Sequence, residues 1–269
     1  MTAVEAVPEV TGRSAAVPIW DVGGASLLWV DAVANTVHRL HPGSGTQTKT
    51  VLRQDIGAAA PRMNGGLVCN LRDGVGLRDS DDRLTWLVYW QREGQHAACA
   101  AVDPTGRLWA ATVREDAAAG GQLIRVEPEG RAKVVLADLD VVGGIGWSPA
   151  ADRMYVVDPA TRQVDQFDYH EADGEIDGRR PLCAITDGSP AGMCVDADGG
   201  VWVAIRDAGR IHRYTREGSL DRTLAVPAAE VTGCCFGGPD FTDLYITAEG
   251  TLFVARGIGA GLPTPRFPG

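Results

Sequence analysis

The stretch Val102-Asp-Pro-Thr-Gly-Arg-Leu-Trp-Ala-Ala111 joins a tight turn to a short apolar strand. An Asp in such a turn can bond the backbone two residues on, and a Gly can supply a positive φ. The same order returns in Asp196-Ala-Asp-Gly-Gly-Val-Trp-Val-Ala204 and, with Ser-Pro leading, in residues 148–158. The chain is therefore built from a repeated unit in which a turn precedes a strand.

Six segments of strand composition align with one another along the chain. Their equivalent positions are Leu28, Leu67, Leu108, Met154, Val201 and Leu244, at spacings of 39, 41, 46, 47 and 43 residues. This period exceeds those of leucine-rich and ankyrin repeats and is typical of four-stranded propeller blades. We therefore predict an all-β, six-bladed β-propeller with four-stranded antiparallel blades around a central channel. Residues 13–269 are predicted to form this single domain, preceded by a loosely attached N-terminal tail, residues 1–12.

Composition limits the partners that the protein can have. Asp and Glu number 35 against 25 Lys and Arg, for a formal net charge of -10, so no basic surface is available for nucleic acid or anionic membrane. The six cysteines are scattered without a C-x-x-C pair, and no basic signal segment or long apolar run is present. We predict a cytoplasmic protein whose partner is a small molecule; its oligomeric state stays open.

Several motifs resemble those of a known family. They are Leu28-Trp-Val-Asp31, Gly144-Ile-Gly-Trp-Ser-Pro149, Gly192-Met-Cys-Val-Asp196 and Val231-Thr-Gly-Cys-Cys-Phe-Gly-Gly-Pro239. In order and number they resemble the gluconolactonase and regucalcin (senescence-marker-protein) family of six-bladed propellers, from about Pro18 to Phe267. The resemblance implies a hydrolase of lactones or related small esters with one divalent cation at the top of the channel. Such a cation polarises a carbonyl and acidifies water.

The resemblance also implies four oxygen ligands for this cation. They belong to the family segments E-G-P-x-W, R-x-N-D, P-N-G and P-D-G-M, and the matching positions here are Ala16, Ala98, Gly143 and Ala191. None of these residues offers a side-chain oxygen to a hard cation. We therefore predict no metal and no other cofactor, and we predict that these four residues line a small, apolar, substrate-binding channel mouth.

Three further residues are candidates for chemistry or binding. His96 stands where the resemblance implies a substrate-holding Arg, and we predict it to be the catalytic acid or base, with an exposed loop position as the alternative. Trp147, predicted beside the Gly143 position, is a candidate aromatic wall of the pocket, with packing between blades as the alternative. Arg114, in a loop that the resemblance puts over the site, is a candidate substrate contact or a solvated loop residue.

The leading hypothesis is a metal-independent enzyme acting on a largely uncharged organic molecule by hydrolysis, ring opening, isomerisation or cyclisation. One alternative is a non-catalytic, small-molecule-binding pseudo-enzyme. Another is a metal-dependent lactonase with unusual ligands. Propellers host many functions, so the fold alone does not decide among these hypotheses.

Overall fold

The structure is a computed structural model that describes residues 3–8, 10, 12–91, 93–116 and 119–269. These residues form 24 strands and no helix, arranged in six four-stranded antiparallel sheets. The first three sheets consist of β2 (Ala16–Asp21), β3 (Ser26–Asp31), β4 (Thr36–His41) and β5 (Thr46–Val51); β6 (Ile56–Pro61), β7 (Leu67–Leu71), β8 (Gly74–Arg78) and β9 (Leu84–Tyr89); and β10 (Gln95–Val102), β11 (Leu108–Arg114), β12 (Gly121–Val126) and β13 (Ala132–Leu139). The other three consist of β14 (Gly144–Trp147), β15 (Arg153–Asp158), β16 (Gln163–His170) and β17 (Glu175–Ala184); β18 (Pro190–Val195), β19 (Val201–Ile205), β20 (Arg210–Tyr214) and β21 (Leu220–Ala225); and β22 (Val231–Gly237), β23 (Asp243–Ala248), β24 (Thr251–Ala255) and β1 (Val4–Ala6).

The sheets are the blades of a closed ring. The first strand of each blade contacts the first strand of the next, in the order β2, β6, β10, β14, β18, β22 and back to β2. These six inner strands surround the central axis, and the other strands of each blade follow outward in chain order. The prediction of a six-bladed propeller is therefore confirmed. Within the described residues, no helix is long and apolar enough to cross a membrane.

The N-terminal segment closes the ring. Strand β1 pairs antiparallel with β24, with Val4 opposite Ala255 and Ala6 opposite Phe253. Within the segment that the sequence predicts as a loosely attached tail, residues 1–12, Val4–Ala6 form the outer strand of the sixth blade. A three-residue strand at a sheet edge has no periodicity that the sequence could reveal. Residues 1, 2, 9 and 11 of that segment lie outside the described residues.

The hydrophobic core lies between blades rather than on the axis. Trp29, Trp109 and Trp202, on the second strands of their blades, are at most 2% exposed. Trp109 meets Tyr169 of the next blade edge to face at 6.3 Å, and Trp202 meets Phe236 of the next blade at 5.7 Å. Six clusters of buried apolar residues occupy the six blade junctions. The blades are therefore held together side by side, and the axis is left to small residues.

A buried carboxylate joins turn and strands in the third blade. Asp103 is fully buried at the end of β10. Its Oδ1 accepts hydrogen bonds from the N–H groups of Thr105 (3.0 Å) and Arg107 (2.9 Å). Its Oδ2 accepts from Trp109 Nε1 (3.0 Å) and from the Tyr169 hydroxyl of the next blade (2.8 Å). One side chain therefore fixes the turn, the second strand and the neighbouring blade.

The fifth blade repeats this arrangement. Asp196 Oδ1 accepts from the N–H groups of Asp198 (3.0 Å) and Gly200 (2.7 Å). Its Oδ2 accepts from Trp202 Nε1 (2.8 Å) and from Arg213 Nε (2.6 Å). The six-residue separation of Asp and Trp in the sequence repeat thus has a structural meaning. With this separation, the Trp on the second strand is placed where its Nε1–H donates to the buried carboxylate.

Asp196→Ala is expected to destabilise the protein by about 3–5 kcal/mol, because it leaves the Arg213 guanidinium and the Trp202 N–H without their buried acceptor. The matched control is Asp198→Ala in the same turn, an exposed carboxylate whose loss should cost at most about 0.5 kcal/mol. Urea unfolding followed by tryptophan fluorescence measures both. Equal losses from the two substitutions would contradict the assigned role.

Candidate functional site

Within the described residues, a cavity with a volume of about 980 Å³ runs along the propeller axis. This lies near the upper end of the ~300–1,000 Å³ range of small-molecule pockets. We call the end at which the inner strands begin the mouth, lined by Ala16, Ala98, Gly143 and Ala191. We call the opposite end the floor, lined by Pro104, Pro149 and residues 262–265. The cavity therefore extends over the full length of the inner strands.

The four positions predicted to line the mouth are brought together there. The register of β2 shifts between Ala16 and Ile19, that of β10 between Ala97 and Ala100, and that of β18 between Pro190 and Met193. Such bulges turn individual residues out of the regular pleat. The mouth is therefore formed where the inner strands depart from regular pairing.

Close approach of neighbouring inner strands is one physical reason for the small residues at the mouth. A Cβ atom added to Gly143 would lie 2.8 Å from the carbonyl oxygen of Ala191. One added to Gly57 would lie 2.2 Å from the carbonyl oxygen of Ala98. Neither neighbour can give way, because both atoms belong to the backbone. The strands that carry the mouth thus tolerate no side chain at these two glycines.

The residues at the mouth do not fit a divalent cation. A hard cation takes several oxygen ligands at roughly 2–2.6 Å, most of them carboxylate or amide oxygens in a site of this kind. The four mouth positions carry three methyl groups and a hydrogen. Within the described part of the chain, no group of three or more His, Cys, Asp or Glu side chains is placed to hold a metal. The side chains at the mouth therefore provide no ligand set for a divalent cation.

Val17, which the sequence reasoning did not select, has the most unusual backbone at the mouth. It lines the cavity between Ala16 and Pro18, with a φ of 49°. This left-handed region costs roughly 1–2 kcal/mol for a residue with a Cβ atom and is especially rare for a β-branched one. The sequence contains an indication of this unusual backbone, because the family segment E-G-P-x-W has a Gly at the position of Val17. The strained backbone holds an apolar side chain where the family segment carries none.

Val17→Gly is expected to be more stable than Val17→Ala by about 0.5–1 kcal/mol, because only Gly adopts this φ without strain. Val195, a half-buried residue of β18 that also lines the cavity, provides the control. There Val195→Gly should be the less stable of the two, which is the usual order in a strand. Thermal unfolding of the four variants measures whether the Gly or the Ala variant is the more stable at each position. The same order of stability at both positions would contradict the prediction.

Trp147 lines the cavity but lies away from the mouth. It ends β14, and its ring makes edge contacts with Trp109 and Tyr169 at centroid distances of 6.0 Å each. At about 3.3 Å per residue, it lies roughly 10 Å along the strand from the Gly144 end. The residue is 8% exposed. Trp147 therefore packs between blades and also belongs to the lining of the lower cavity.

His96 lies on the rim of the mouth, outside the residues that line the cavity. Its Nε2 is 3.4 Å from Glu115 Oε1, and its Nδ1 is 3.9 Å from Asp55 Oδ2. Arg72 forms ion pairs with the same two carboxylates, Asp55 and Glu115. The imidazole is 41% exposed. The sequence indicates His96 but not its three charged neighbours, which come from other strands and turns.

Arg114 lies at the end of β11 and is also absent from the cavity lining. Its guanidinium binds Asp116 in a bidentate ion pair, with Nε to Oδ1 at 2.9 Å and a second nitrogen to Oδ2 at 2.6 Å. Both side chains are exposed. Its present contacts therefore correspond to the solvated-loop alternative. Ala117 and Ala118 of the adjoining loop lie outside the described residues.

Four cysteines line the cavity, namely Cys99, Cys194, Cys234 and Cys235. Burial raises the pKa of the Cys99 thiol to about 12, and its Sγ lies 3.2 Å from the Val142 carbonyl oxygen. Burial likewise raises the pKa of Cys194 and of Cys235 well above the ordinary value. The thiolate is the nucleophilic form, so these three side chains behave as small apolar groups at neutral pH.

Cys99 is expected to resist iodoacetamide in the folded protein at pH 7.5. Burial raises the pKa of this thiol to about 12, so little reactive thiolate is present at this pH and labelling should increase as the pH rises. Peptide mass spectrometry measures the labelling, with the urea-unfolded chain at the same pH as the control. Rapid labelling of folded Cys99 at pH 7.5 would contradict the assignment.

Comparison with known proteins gives consistent matches. The family model described as SMP-30/Gluconolactonase/LRE-like region matches residues 15–250. A 6-deoxy-6-sulfogluconolactonase of Pseudomonas putida is 33% identical over 249 residues, covering 90% of this chain and 84% of the relative. Regucalcin of Xenopus laevis is 30% identical over 257 residues, covering 91% and 86%. A solved luciferin-regenerating enzyme has a TM-score of 0.95 at 22% identity over the whole of both chains, which is agreement in fold.

Proposed function

This chain belongs to the SMP-30/gluconolactonase/LRE-like family, and we propose that it is a metal-independent enzyme acting on a largely uncharged, mainly apolar small molecule. The observation that carries the proposal is the lining of the axial cavity, where Ala16, Ala98, Gly143 and Ala191 stand at the family's ligand positions. An apolar lining of this size favours an apolar ligand, since a polar one would lose its hydration without compensation.

The reaction class follows from the family. Its members include lactonases, and the relative from Pseudomonas putida is named as one. We therefore take hydrolysis of a cyclic ester as the reaction. Water adds to the carbonyl carbon, the ring C–O bond breaks, and the departing oxygen receives a proton. Without a metal to polarise the carbonyl, the rate depends on positioning and on a side chain that moves protons.

His96 is the side chain proposed for this proton transfer. Because it stands on the rim, it reaches a reacting group held at the mouth while the apolar body of the molecule lies deeper in the cavity. Asp55 and Glu115 approach its two ring nitrogens, which limits rotation of the imidazole. In the hydrolysis, His96 accepts the proton of the attacking water and then returns it to the leaving oxygen.

The expected result is hydrolysis of aliphatic γ- or δ-lactones with kcat/KM higher than that for gluconolactone, and no loss of activity in EDTA. His96→Gln should lower kcat by about 100-fold with little change in KM, because general acid–base catalysis is worth roughly 10²–10⁴. Ala98→Phe, which narrows the mouth, should raise KM. Ala132→Phe, on the exposed strand β13, is the control and should change neither constant.

Other results of these experiments would favour the alternative functions. Activity lost in EDTA and restored by a divalent cation would overturn metal independence and favour a lactonase with unusual ligands. Full turnover by His96→Gln would remove His96 as the catalyst. Lactone binding without turnover would favour the second candidate, a non-catalytic binding protein.

The second candidate has a specific observation in its favour. His96 is outside the cavity lining, and the Cys99 thiol inside it is held protonated at neutral pH. A molecule bound wholly within the cavity would therefore meet no activated group among these side chains. A molecule that extends from the cavity to the rim can contact His96, whereas one that lies wholly inside cannot. The length of the bound molecule therefore decides between the two candidates.

A further inference from the structure

One cationic side chain lines the otherwise uncharged mouth. Among the described residues that line the cavity, the charged ones are Arg206, in the turn after β19, and Glu171, in the turn after β16 at the floor end. The two charges therefore belong to opposite ends of the cavity. An anion approaching the mouth meets the positive one.

The backbone fixes Arg206 in this place. The Arg206 N–H donates to the Ser189 carbonyl at 2.8 Å, and its own carbonyl accepts from the Val231 N–H at 3.1 Å. Arg206 is thereby tied to the fifth and the sixth blade at once. Ser189, which also lines the cavity, precedes β18. The arginine side chain thus extends from a rigid point on the rim.

The guanidinium of Arg206 forms no hydrogen bond or ion pair with the described residues, whereas most arginines of this chain do. Its nearest acidic neighbour in sequence, Asp207, already accepts the Ser189 N–H at 2.7 Å. That hydrogen bond, together with the charges of Arg162 and Arg206, lowers the pKa of Asp207. Among the described residues, no carboxylate forms an ion pair with the Arg206 guanidinium, so its charge is not neutralised by a direct partner.

A positive charge here contrasts with the whole protein, which carries a formal net charge of -10. A free guanidinium beside a concave apolar surface is the arrangement that binds a carboxylate, sulfonate or phosphate attached to an apolar body. The Ser189 hydroxyl, on the same lining, is available as a second donor.

We propose that Arg206 is an anion-binding residue of the cavity, and that the ligand is amphiphilic, with an acidic group at the mouth and an apolar body along the axis. This inference rests on the proposed use of the cavity and adds a charge to the otherwise uncharged ligand. It names a specificity-determining residue for the acidic group, distinct from His96 on the rim formed by other blades.

The test compares two fluorescent probes that share an aromatic skeleton. Anilinonaphthalene sulfonate carries one sulfonate, and N-phenylnaphthylamine is uncharged. The anionic probe is expected to bind more tightly, and Arg206→Gln to weaken it about tenfold, the equivalent of one charge-assisted hydrogen bond. The uncharged probe should bind both proteins alike. Added salt should weaken the anionic probe in the unsubstituted protein and much less in Arg206→Gln.

Arg216→Gln is the matched control, since it removes the same charge from the turn after β20, at the floor end of the fifth blade. It should leave both affinities unchanged. Equal effects of Arg206→Gln on the two probes, or no effect on the anionic probe, would overturn the proposal. Failure of the cavity itself is distinguishable, because Ala98→Phe would then leave the uncharged probe's affinity unchanged.

Discussion

Packing between neighbouring blades is the constraint from which the rest of the structure follows. Each blade buries large second-strand side chains, such as Trp109 and Trp202, against the next blade, and buried carboxylates such as Asp103 and Asp196 hold the turns that present them. Six blades arranged in this way leave a space on the axis that the short inner strands do not fill. The cavity is therefore a product of the ring, and its chemistry depends on the few residues at the two ends of the inner strands.

The inner strands carry residues that serve both the mouth and the blade junctions. Bulges place Ala16, Ala98 and Ala191 at the mouth. Ala191 also belongs to the buried cluster between the fifth and sixth blades, and Ala98 packs against the cluster between the third and fourth. The strained backbone of Val17 shows that the mouth is maintained against a local energetic preference. Under the proposed function, the apolar mouth and Arg206 together select an acidic molecule with an apolar body.

The fold was predictable from sequence because each blade repeats the same local chemistry, an Asp or Ser turn followed by an apolar strand. The mouth was predictable because Ala16, Ala98, Gly143 and Ala191 could be placed by counting from matched neighbours. The surroundings of His96 were not predictable, since Asp55 and Arg72 come from the neighbouring blade and Glu115 comes from the turn after the adjacent strand β11. Trp147 was predicted to lie beside Gly143 because the two are close in sequence. In an extended strand, however, a residue four positions further on lies far along the axis. Val4–Ala6 escaped notice because a short edge strand has no internal pattern.

The pairing of β1 with β24 has a consequence for synthesis of the chain. The outermost strand of the sixth blade precedes the other five blades in sequence, and its three sheet partners follow them. On the ribosome, blades one to five can assemble in order of emergence, but the ring stays open until β22, β23 and β24 leave the exit tunnel. During that interval the apolar edges of the first and fifth blades remain exposed to solvent. The pairing of β1 with β24 thus makes the emergence of β24 the event that closes the ring.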